Sequence, residues 1–278
     1  MTPRNLIRRT ASRFRDAGIP DPETDSALLL SALCGRPPLD LRLDTDTNLN
    51  EALLSRYENL VRQRLRRVPL QYILGETSFF GLRFFVDYRV LIPRPETELL
   101  CEWALDRMRS FSAPRVLDLC CGSGCVGLSV KRSRPDAVVT LSDMSPDALE
   151  IAKINARQLN LDVAFSRADL LDGFGPRSFD VILCNPPYIP SVSCADLQPE
   201  VLFEPLSALD GGADGLSFYR RLIPAASLVL SAGGLLFLEC GIGESAAVAS
   251  LLSGSGFRDI TVRKDLAEID RMVSAVNP

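Results

Sequence analysis

Apolar residues at the start of the chain recur at the three- and four-residue spacing of amphipathic helices. In the stretch 3–18, Leu6 and Phe14 fall near one helical face. Two further stretches of the same kind follow, over 22–34 and over 50–67. The pattern predicts a small helical bundle.

The pattern changes after residue 67. Aromatic and β-branched residues become frequent and are interrupted by Gly75 and Gly81, as is typical of a β-hairpin. We therefore expect three parts: a helical domain over 1–70, a hairpin linker over 71–92, and a larger domain over 93–278.

The larger domain alternates short apolar runs with amphipathic helical stretches. Six runs are predicted to be strands: "RVLDLC", "AVVTLSD", "DVAFSR", "FDVILCN", "GGLLFLEC" and "FRDITVRKD". Such alternation is typical of an α/β fold with a mostly parallel, doubly wound sheet. Ligands of these folds bind beyond the carboxyl ends of the strands.

The first predicted strand ends in an acidic residue and a glycine-rich turn. Asp118 is followed by "LCCGSGC", in which Gly122-Ser123-Gly124 opens the next helix. Glycines let a backbone turn tightly and approach a ligand. Alone, this turn fits a nucleotide enzyme, a cofactor site or simple helix packing.

Further acidic residues end the next two strands. Asp143 lies 21 residues after Gly122, where a carboxylate can accept both hydroxyls of a ribose, although it could also cap the following helix. Asp169 and Leu170 follow the third strand and could bracket an adenine. A dinucleotide would favour a complete G-x-G-x-x-G loop, which is missing, whereas Asp118 suits a cationic ligand. The pattern favours S-adenosylmethionine.

The composition excludes several kinds of catalytic and metal-binding site. The 278 residues include no histidine, which excludes Ser-His-Asp and Cys-His catalysis and every metal site that contains histidine. The eight cysteines form no C-x-x-C pair, so neither a zinc site nor a disulfide framework is expected.

Charge and hydropathy indicate a cytoplasmic protein that does not grip DNA. The formal net charge is −4, and no apolar run approaches the roughly 20 residues of a membrane span. Residues 1–90 carry a net +3, with their densest basic point at Arg62–Arg67. That cluster is interpreted as a solvated helix face, with an acidic protein or RNA as the alternative partner.

The fourth strand ends in the rigid corner Asn185-Pro186-Pro187-Tyr188. The side-chain oxygen of Asn185 and the carbonyl of Pro186 could both accept hydrogen bonds from one planar NH₂ group. Holding both N–H bonds would aim the nitrogen at a methyl donor, and Tyr188 would supply an aromatic wall. The alternative is a turn with no chemical role.

The chain resembles the bacterial HemK/PrmC methyltransferases. The resemblance rests on the Asn-Pro-Pro-Tyr corner, the glycine loop, the helical start, "PRPETELL" over 93–100 and "FEPLSALDGGADGLSFYR" over 203–220. It implies a Rossmann-like class I methyltransferase domain. It also implies transfer of a methyl group from S-adenosylmethionine to the glutamine amide of the Gly-Gly-Gln motif in class I peptide chain release factors, without a metal.

The resemblance also assigns roles to residues. The loop Cys120, Cys121, Gly122, Ser123, Gly124, together with Asp143, would bind the cofactor, and Leu170 would lie against the adenine. Asn185 would bridge cofactor and glutamine, and Pro186, Pro187 and Tyr188 would complete the glutamine pocket. In the family a Gly-Thr pair more often stands where this chain has Cys120-Cys121, so we expect the first of these positions not to require a positive φ.

Two rival functions stay open. The first is an adenine-N6 DNA methyltransferase, because the exocyclic amine of a flipped adenine would present the same planar NH₂ group to the corner. Such an enzyme needs a DNA-binding surface. A non-catalytic adaptor could keep the fold, but the intact corner and loop speak against it. We expect the helical domain to recognise the protein substrate and the enzyme to act as a monomer.

Overall fold

The structure is a computed structural model that describes residues 1–278. The chain forms two compact units: Met1–Glu76 together with Gln198–Phe203, and Thr77–Leu197 together with Glu204–Pro278.

The first unit is a helical bundle. Its core contains Phe14, Leu30 and Tyr57, none of which is appreciably exposed. The three predicted helices are confirmed, and the bundle contains two further short helices. The helices are α1 (Pro3–Asp16), α2 (Pro22–Cys34), α3 (Pro38–Leu43), α4 (Glu51–Leu65) and α5 (Leu70–Leu74).

The interpretation of Arg62–Arg67 as a wholly solvated face is wrong. Arg64 is buried and its guanidinium pairs with Asp25 at 2.7 Å and with Glu200 at 2.8 Å. Arg67 donates to the same Glu200 carboxylate at 2.7 Å. A guanidinium with several fixed donors can satisfy two carboxylates at once, so these arginines organise the unit internally.

The predicted hairpin is present as β1 (Glu76–Phe79) and β2 (Leu82–Phe85). Phe80 and Gly81 form its turn with φ angles of +50° and +73°. Both central residues therefore have the left-handed geometry that matches the twist of paired strands.

The second unit contains a seven-stranded sheet in the order β5-β4-β3-β6-β7-β9-β8. The first five strands in that order are parallel, and β9 runs antiparallel to both of its neighbours. The strands are β3 (Arg115–Leu119), β4 (Val138–Asp143), β5 (Ala164–Arg167), β6 (Phe179–Cys184), β7 (Leu230–Glu239), β8 (Arg258–Lys264) and β9 (Asp270–Val276).

Helices cover both faces of this sheet. Side chains alternate along β3, so that Val116 packs into the core on one face and Leu117 into the core on the other. The helices are α6 (Pro95–Arg107), α7 (Cys125–Ser133), α8 (Pro146–Leu159), α9 (Ser217–Val229) and α10 (Ser245–Gly254). The predicted doubly wound α/β fold is confirmed, and β9 is an addition to it.

All eight cysteines are free thiols. None of the helices combines the length and the apolar content that crossing a membrane requires.

Candidate functional site

A cleft of about 710 Å³, part of it open to solvent, lies at the carboxyl ends of the central parallel strands. This is where the topology of an open α/β sheet places its ligand. Residues that follow β3, β4, β5 and β6 all contribute to it. The lining residues are Arg89, Val90, Leu91, Leu119, Cys120, Gly122, Asp143, Met144, Ser145, Ala148, Ala168, Asp169, Leu170, Asn185, Pro187, Pro205, Ser207, Ala208 and Phe218.

The glycine loop forms the turn from β3 into α7. Cys120 has φ +58°, Gly122 +53° and Gly124 +78°. The expectation that the first loop position needs no positive φ is therefore wrong. Cys121 donates its N–H to the carbonyl of Ser142 at 3.0 Å, which ties the turn to β4 directly after Cys120. A non-glycine residue in the left-handed conformation costs about 1–2 kcal/mol.

Asp143 connects the loop to the next helix. One carboxylate oxygen accepts the Gly122 N–H at 2.9 Å, and the other accepts the Ser145 N–H at 2.9 Å. The Ser145 hydroxyl caps α8 by accepting the Ala148 N–H. Burial raises the pKa of Asp143, while its backbone hydrogen bonds act in the opposite direction. Asp143 lines the cleft and retains lone pairs that could accept ribose hydroxyls.

Asp118 lies behind the loop and does not line the cleft. Its side chain points to the α7 face of the sheet, where it accepts the Gly127 N–H at 2.8 Å. Burial raises the pKa of Asp118 to about 7. Its predicted contact with a cationic ligand group stays a prediction. Cys121, Ser123 and Gly124 also lie outside the lining of the cleft.

Asp169 and Leu170, which the sequence predicts to bracket a base, both line the cleft. The Asp169 carboxylate pairs with Arg221 at 2.7 Å, whereas Leu170 is buried and adopts φ +51°. Leu119 and Phe218 supply further apolar surface. The lining of the cleft thus combines apolar side chains with the carboxylates of Asp143 and Asp169.

The Asn-Pro-Pro-Tyr corner follows directly from β6. Asn185 and Pro187 line the cleft, while Pro186 is buried and Tyr188 half-buried. The side-chain nitrogen of Asn185 donates to the Thr97 hydroxyl at 3.2 Å. Its side-chain oxygen and the Pro186 carbonyl accept no hydrogen bond from the rest of the chain. Both oxygens therefore keep lone pairs that no group of the chain uses, and of the two residues Asn185 is the one that lines the cleft.

Two residues that the sequence did not single out support the corner. Glu239 ends β7, is 1% exposed, and accepts the Thr97 hydroxyl at 2.7 Å and the Tyr188 hydroxyl at 3.3 Å. Thr97 sits in the first turn of α6, within the "PRPETELL" segment. An acidic residue at the end of a buried strand was the one available sequence signal.

The glycine-rich segment after Glu204 packs on the backbone of the corner. A Cβ at Gly211 would lie 2.7 Å from the Cα of Tyr188, and a Cβ at Gly215 would lie 2.4 Å from its carbonyl oxygen. Gly211 donates its N–H to the Ile189 carbonyl at 2.8 Å. Only glycine permits this approach, so the segment fixes the backbone position of Tyr188.

Glu204 joins two parts of the cleft wall. Its carboxylate accepts the Arg94 guanidinium at 2.5 Å and the Ile92 N–H at 3.0 Å. Burial raises the pKa of Glu204. Residues 89–91 line the cleft immediately before Ile92, and Pro205 lines it immediately after Glu204.

The cleft fits an adenosine-bearing cofactor. The Asp143 carboxylate can accept hydroxyl groups, and apolar side chains such as Leu170 line the same cleft. A Cβ at Gly122 would meet nothing within 4 Å, so the loop backbone is open to a ligand. No group of three His, Cys, Asp or Glu side chains comes together in a way that could hold a metal ion.

Comparison with known proteins finds relatives over nearly the whole chain. Family models match residues 5–75, as the PrmC N-terminal domain, and residues 96–202, as the methyltransferase small domain. A release factor glutamine methyltransferase of Geobacter sulfurreducens is 40% identical over 98% of this chain and 95% of its own length. That of Clostridium acetobutylicum is 39% identical over 91% and 90%. Among solved structures, the hMettl16 catalytic domain aligns with TM-score 0.58 at 16% identity over 83% of each chain, which is a likeness of fold.

Proposed function

This chain belongs to the release factor glutamine methyltransferase family, and from that premise we propose that it methylates class I peptide chain release factors. The acceptor is the side-chain amide nitrogen (N5) of the glutamine in their Gly-Gly-Gln motif, and the methylation modulates translation termination. The methyl donor is S-adenosylmethionine, and no metal takes part. The enzyme works as a monomer in the cytoplasm, where release factors act.

The observation that carries this proposal is the pair of available acceptors at the corner. A primary amide presents two N–H bonds in one plane, and the Asn185 side-chain oxygen and the Pro186 carbonyl can accept one each. Tyr188, held by Glu239 at 3.3 Å, would flank the flat amide.

The amide nitrogen is a poor nucleophile because its lone pair is delocalised into the carbonyl. Bound S-adenosylmethionine supplies an electrophilic methyl group. The protein orients the nitrogen, since reaction requires an approach of roughly 3–3.5 Å in line with the leaving group. Asn185 and Pro186 also stabilise the positive charge that develops on the nitrogen. The methylated nitrogen is strongly acidic and can release its proton to water, so no histidine base is needed.

The proposal assigns the cofactor to residues that line the cleft and to the loop beside them. Asp143 would accept the ribose hydroxyls, Leu170 would pack on the adenine with Asp169 at its edge, and the loop from Cys120 to Gly124 would present its backbone. Asp118 supports that loop from behind through Gly127.

The helical domain, residues 1–70, would recognise the body of the release factor. A Gly-Gly-Gln peptide alone offers too little surface to specify one partner. Replacing this domain with an unrelated bundle should abolish methylation of intact release factor and leave the affinity for S-adenosylmethionine unchanged. Methylation at the original rate would contradict this role.

The experiment that tests the reaction uses methyl-labelled S-adenosylmethionine and a purified release factor, followed by peptide mass mapping. A single methyl group on the Gly-Gly-Gln glutamine, and none when that glutamine is changed to alanine, is the expected result. Label on adenine of duplex DNA with none on protein would overturn the proposal and favour an adenine-N6 methyltransferase.

A further inference from the structure

A chain of hydrogen bonds runs from the buried end of β7 to the corner. The Thr97 hydroxyl donates to Glu239 at 2.7 Å, and the Asn185 side-chain nitrogen donates to the Thr97 oxygen at 3.2 Å. Thr97 is 3% exposed and Glu239 is 1% exposed, so water does not compete for these bonds. α6 is fixed against β7 by the edge-to-face contact of Trp103 with Phe237, whose ring centroids are 5.4 Å apart.

The carboxylate of Glu239, the hydroxyl of Thr97 and the amide of Asn185 together determine which group donates in each of these hydrogen bonds. An ionised carboxylate only accepts hydrogen bonds, and a hydroxyl has one hydrogen to donate. Because Thr97 gives its hydrogen to Glu239, its oxygen can only accept from Asn185. The NH₂ end of the Asn185 amide must therefore face Thr97, and its oxygen must face the other way.

We infer that Thr97 and Glu239 are positioning residues, which hold the Asn185 side-chain oxygen in the orientation that accepts an N–H of the substrate. This inference deepens the proposed function and rests on it. An amide has nearly the same shape in its two flipped orientations, and the flipped form would present a donor to the substrate's NH₂ group. The flip costs a hydrogen bond within the buried chain, so the productive orientation predominates.

The same carboxylate also fixes the second wall of the corner. Tyr188 donates to the other oxygen of Glu239, and the Arg271 guanidinium of β9 lies 5.7 Å from the centre of the Tyr188 ring. Burial raises the pKa of Glu239, whereas the hydrogen bonds from Thr97 and Tyr188 and the charge of Arg271 favour its ionised form. Glu239 therefore organises both Asn185 and Tyr188, although it contacts neither substrate nor cofactor.

The test compares Thr97→Val, which removes the hydroxyl at constant shape, with Thr97→Ser, which keeps it. Thr140→Val on β4 makes the same change away from the cleft and is the matched control. We expect Thr97→Val to lower kcat on release factor about ten- to a hundredfold, as loss of orientation does. The dissociation constant of S-adenosylmethionine should change less than about threefold, and Thr97→Ser should restore kcat to within about threefold.

A kcat of Thr97→Val within twofold of the wild type would overturn the inference, as would a Thr97→Ser variant as slow as Thr97→Val. Glu239→Gln provides a second test, because an amide at this position no longer dictates which way Thr97 donates. Its kcat should fall while cofactor affinity holds, and an unchanged kcat would count against the inference.

A readout without turnover separates this inference from the proposed function. The ¹⁵N–¹H signals of the Asn185 side-chain amide, assigned through Asn185→Asp, should shift in Thr97→Val and stay in place in Thr140→Val. An inactive wild type would refute the proposed function while these signals still report on the hydrogen-bond chain. An active wild type, together with unchanged Asn185 amide signals in Thr97→Val, would refute only the positioning role of the hydrogen bonds.

Discussion

The clasp between Glu204, Arg94 and Ile92 should matter to both stability and cofactor binding. The Glu204 side chain is 2% exposed, and Ile92 is 4% exposed. Changing Glu204→Ala leaves the buried Ile92 N–H without an acceptor, which costs about 1–3 kcal/mol. Arg94 is 32% exposed, so its lost ion pair is partly screened and adds about 1 kcal/mol. The free energy of unfolding should fall by about 2–4 kcal/mol in total.

The assay is urea unfolding followed by the fluorescence of Trp103, the only tryptophan of the chain. Trp103 is buried in the core of the second unit, so its signal reports on the unit that contains the clasp. With a urea slope of roughly 3 kcal/mol per molar, the midpoint should fall by about 1 M. Glu150→Ala is the control, because Glu150 pairs with Lys153 on the exposed face of α8 and should leave the midpoint in place.

The same variant should bind S-adenosylmethionine about tenfold more weakly in calorimetry. The residues next to Ile92 and next to Glu204 line the cleft, so without the clasp their side chains would have to be ordered when the cofactor binds. Ordering one or two side chains costs about 1.4 kcal/mol, which is a tenfold change in the dissociation constant. An unfolding midpoint of Glu204→Ala equal to that of Glu150→Ala would refute this reasoning. Unchanged affinity in a destabilised variant would show that the clasp serves folding alone.

Three further predictions follow from packing and charge. Gly127→Ala should lower the free energy of unfolding by about 1–3 kcal/mol in urea, because its Cβ would lie 2.2 Å from Leu141, whereas Gly254→Ala, with open space around it, should not. Burial raises the pKa of Asp118 to about 7, so ionisation of this carboxyl disfavours the folded state. Between pH 5 and pH 8 the free energy of unfolding of the wild type should fall by about 2–3 kcal/mol relative to that of Asp118→Asn. The same pH dependence of unfolding in both proteins would contradict this. Burial raises the pKa of Glu239, and only the ionised carboxylate dictates that Thr97 donates to it. In a pH profile of kcat, activity should therefore fall as the pH is lowered through a midpoint above the ordinary glutamate pKa, and Glu239→Gln should not show this fall.

Elements with a strong periodic pattern could be predicted from the sequence, and short ones could not. The long helices follow from the 3.6-residue period of their apolar positions, and the six strands follow from short apolar runs between them. β9 was missed because the turn between Lys264 and Asp270 has no glycine, proline or asparagine to mark it. Its turn is instead held by Asp265, whose carboxylate accepts the N–H groups of Ala267 and Ile269.

The residues that line the cleft could be predicted from the sequence, but the residues that hold them in place could not. Strand ends with polar residues predict a shared edge, and Asp143, Leu170 and Asn185 do meet there. Long-range side-chain contacts leave no local pattern, so the pairing of Thr97 with Glu239 across 142 positions could not be predicted. The positive φ at Cys120 was also missed, since the turn that contains it is held to β4 by a long-range hydrogen bond from Cys121 to Ser142.

The central claim is that the Asn185 corner presents a glutamine amide to the methyl donor. The most direct test is single-turnover methyl transfer to a release factor by Asn185→Ala, with S-adenosylmethionine saturating and its affinity measured separately. The rate of Asn185→Ala should be at least about a hundredfold lower than that of the wild type, because the orienting acceptor is lost. Transfer at the wild-type rate would contradict the claim.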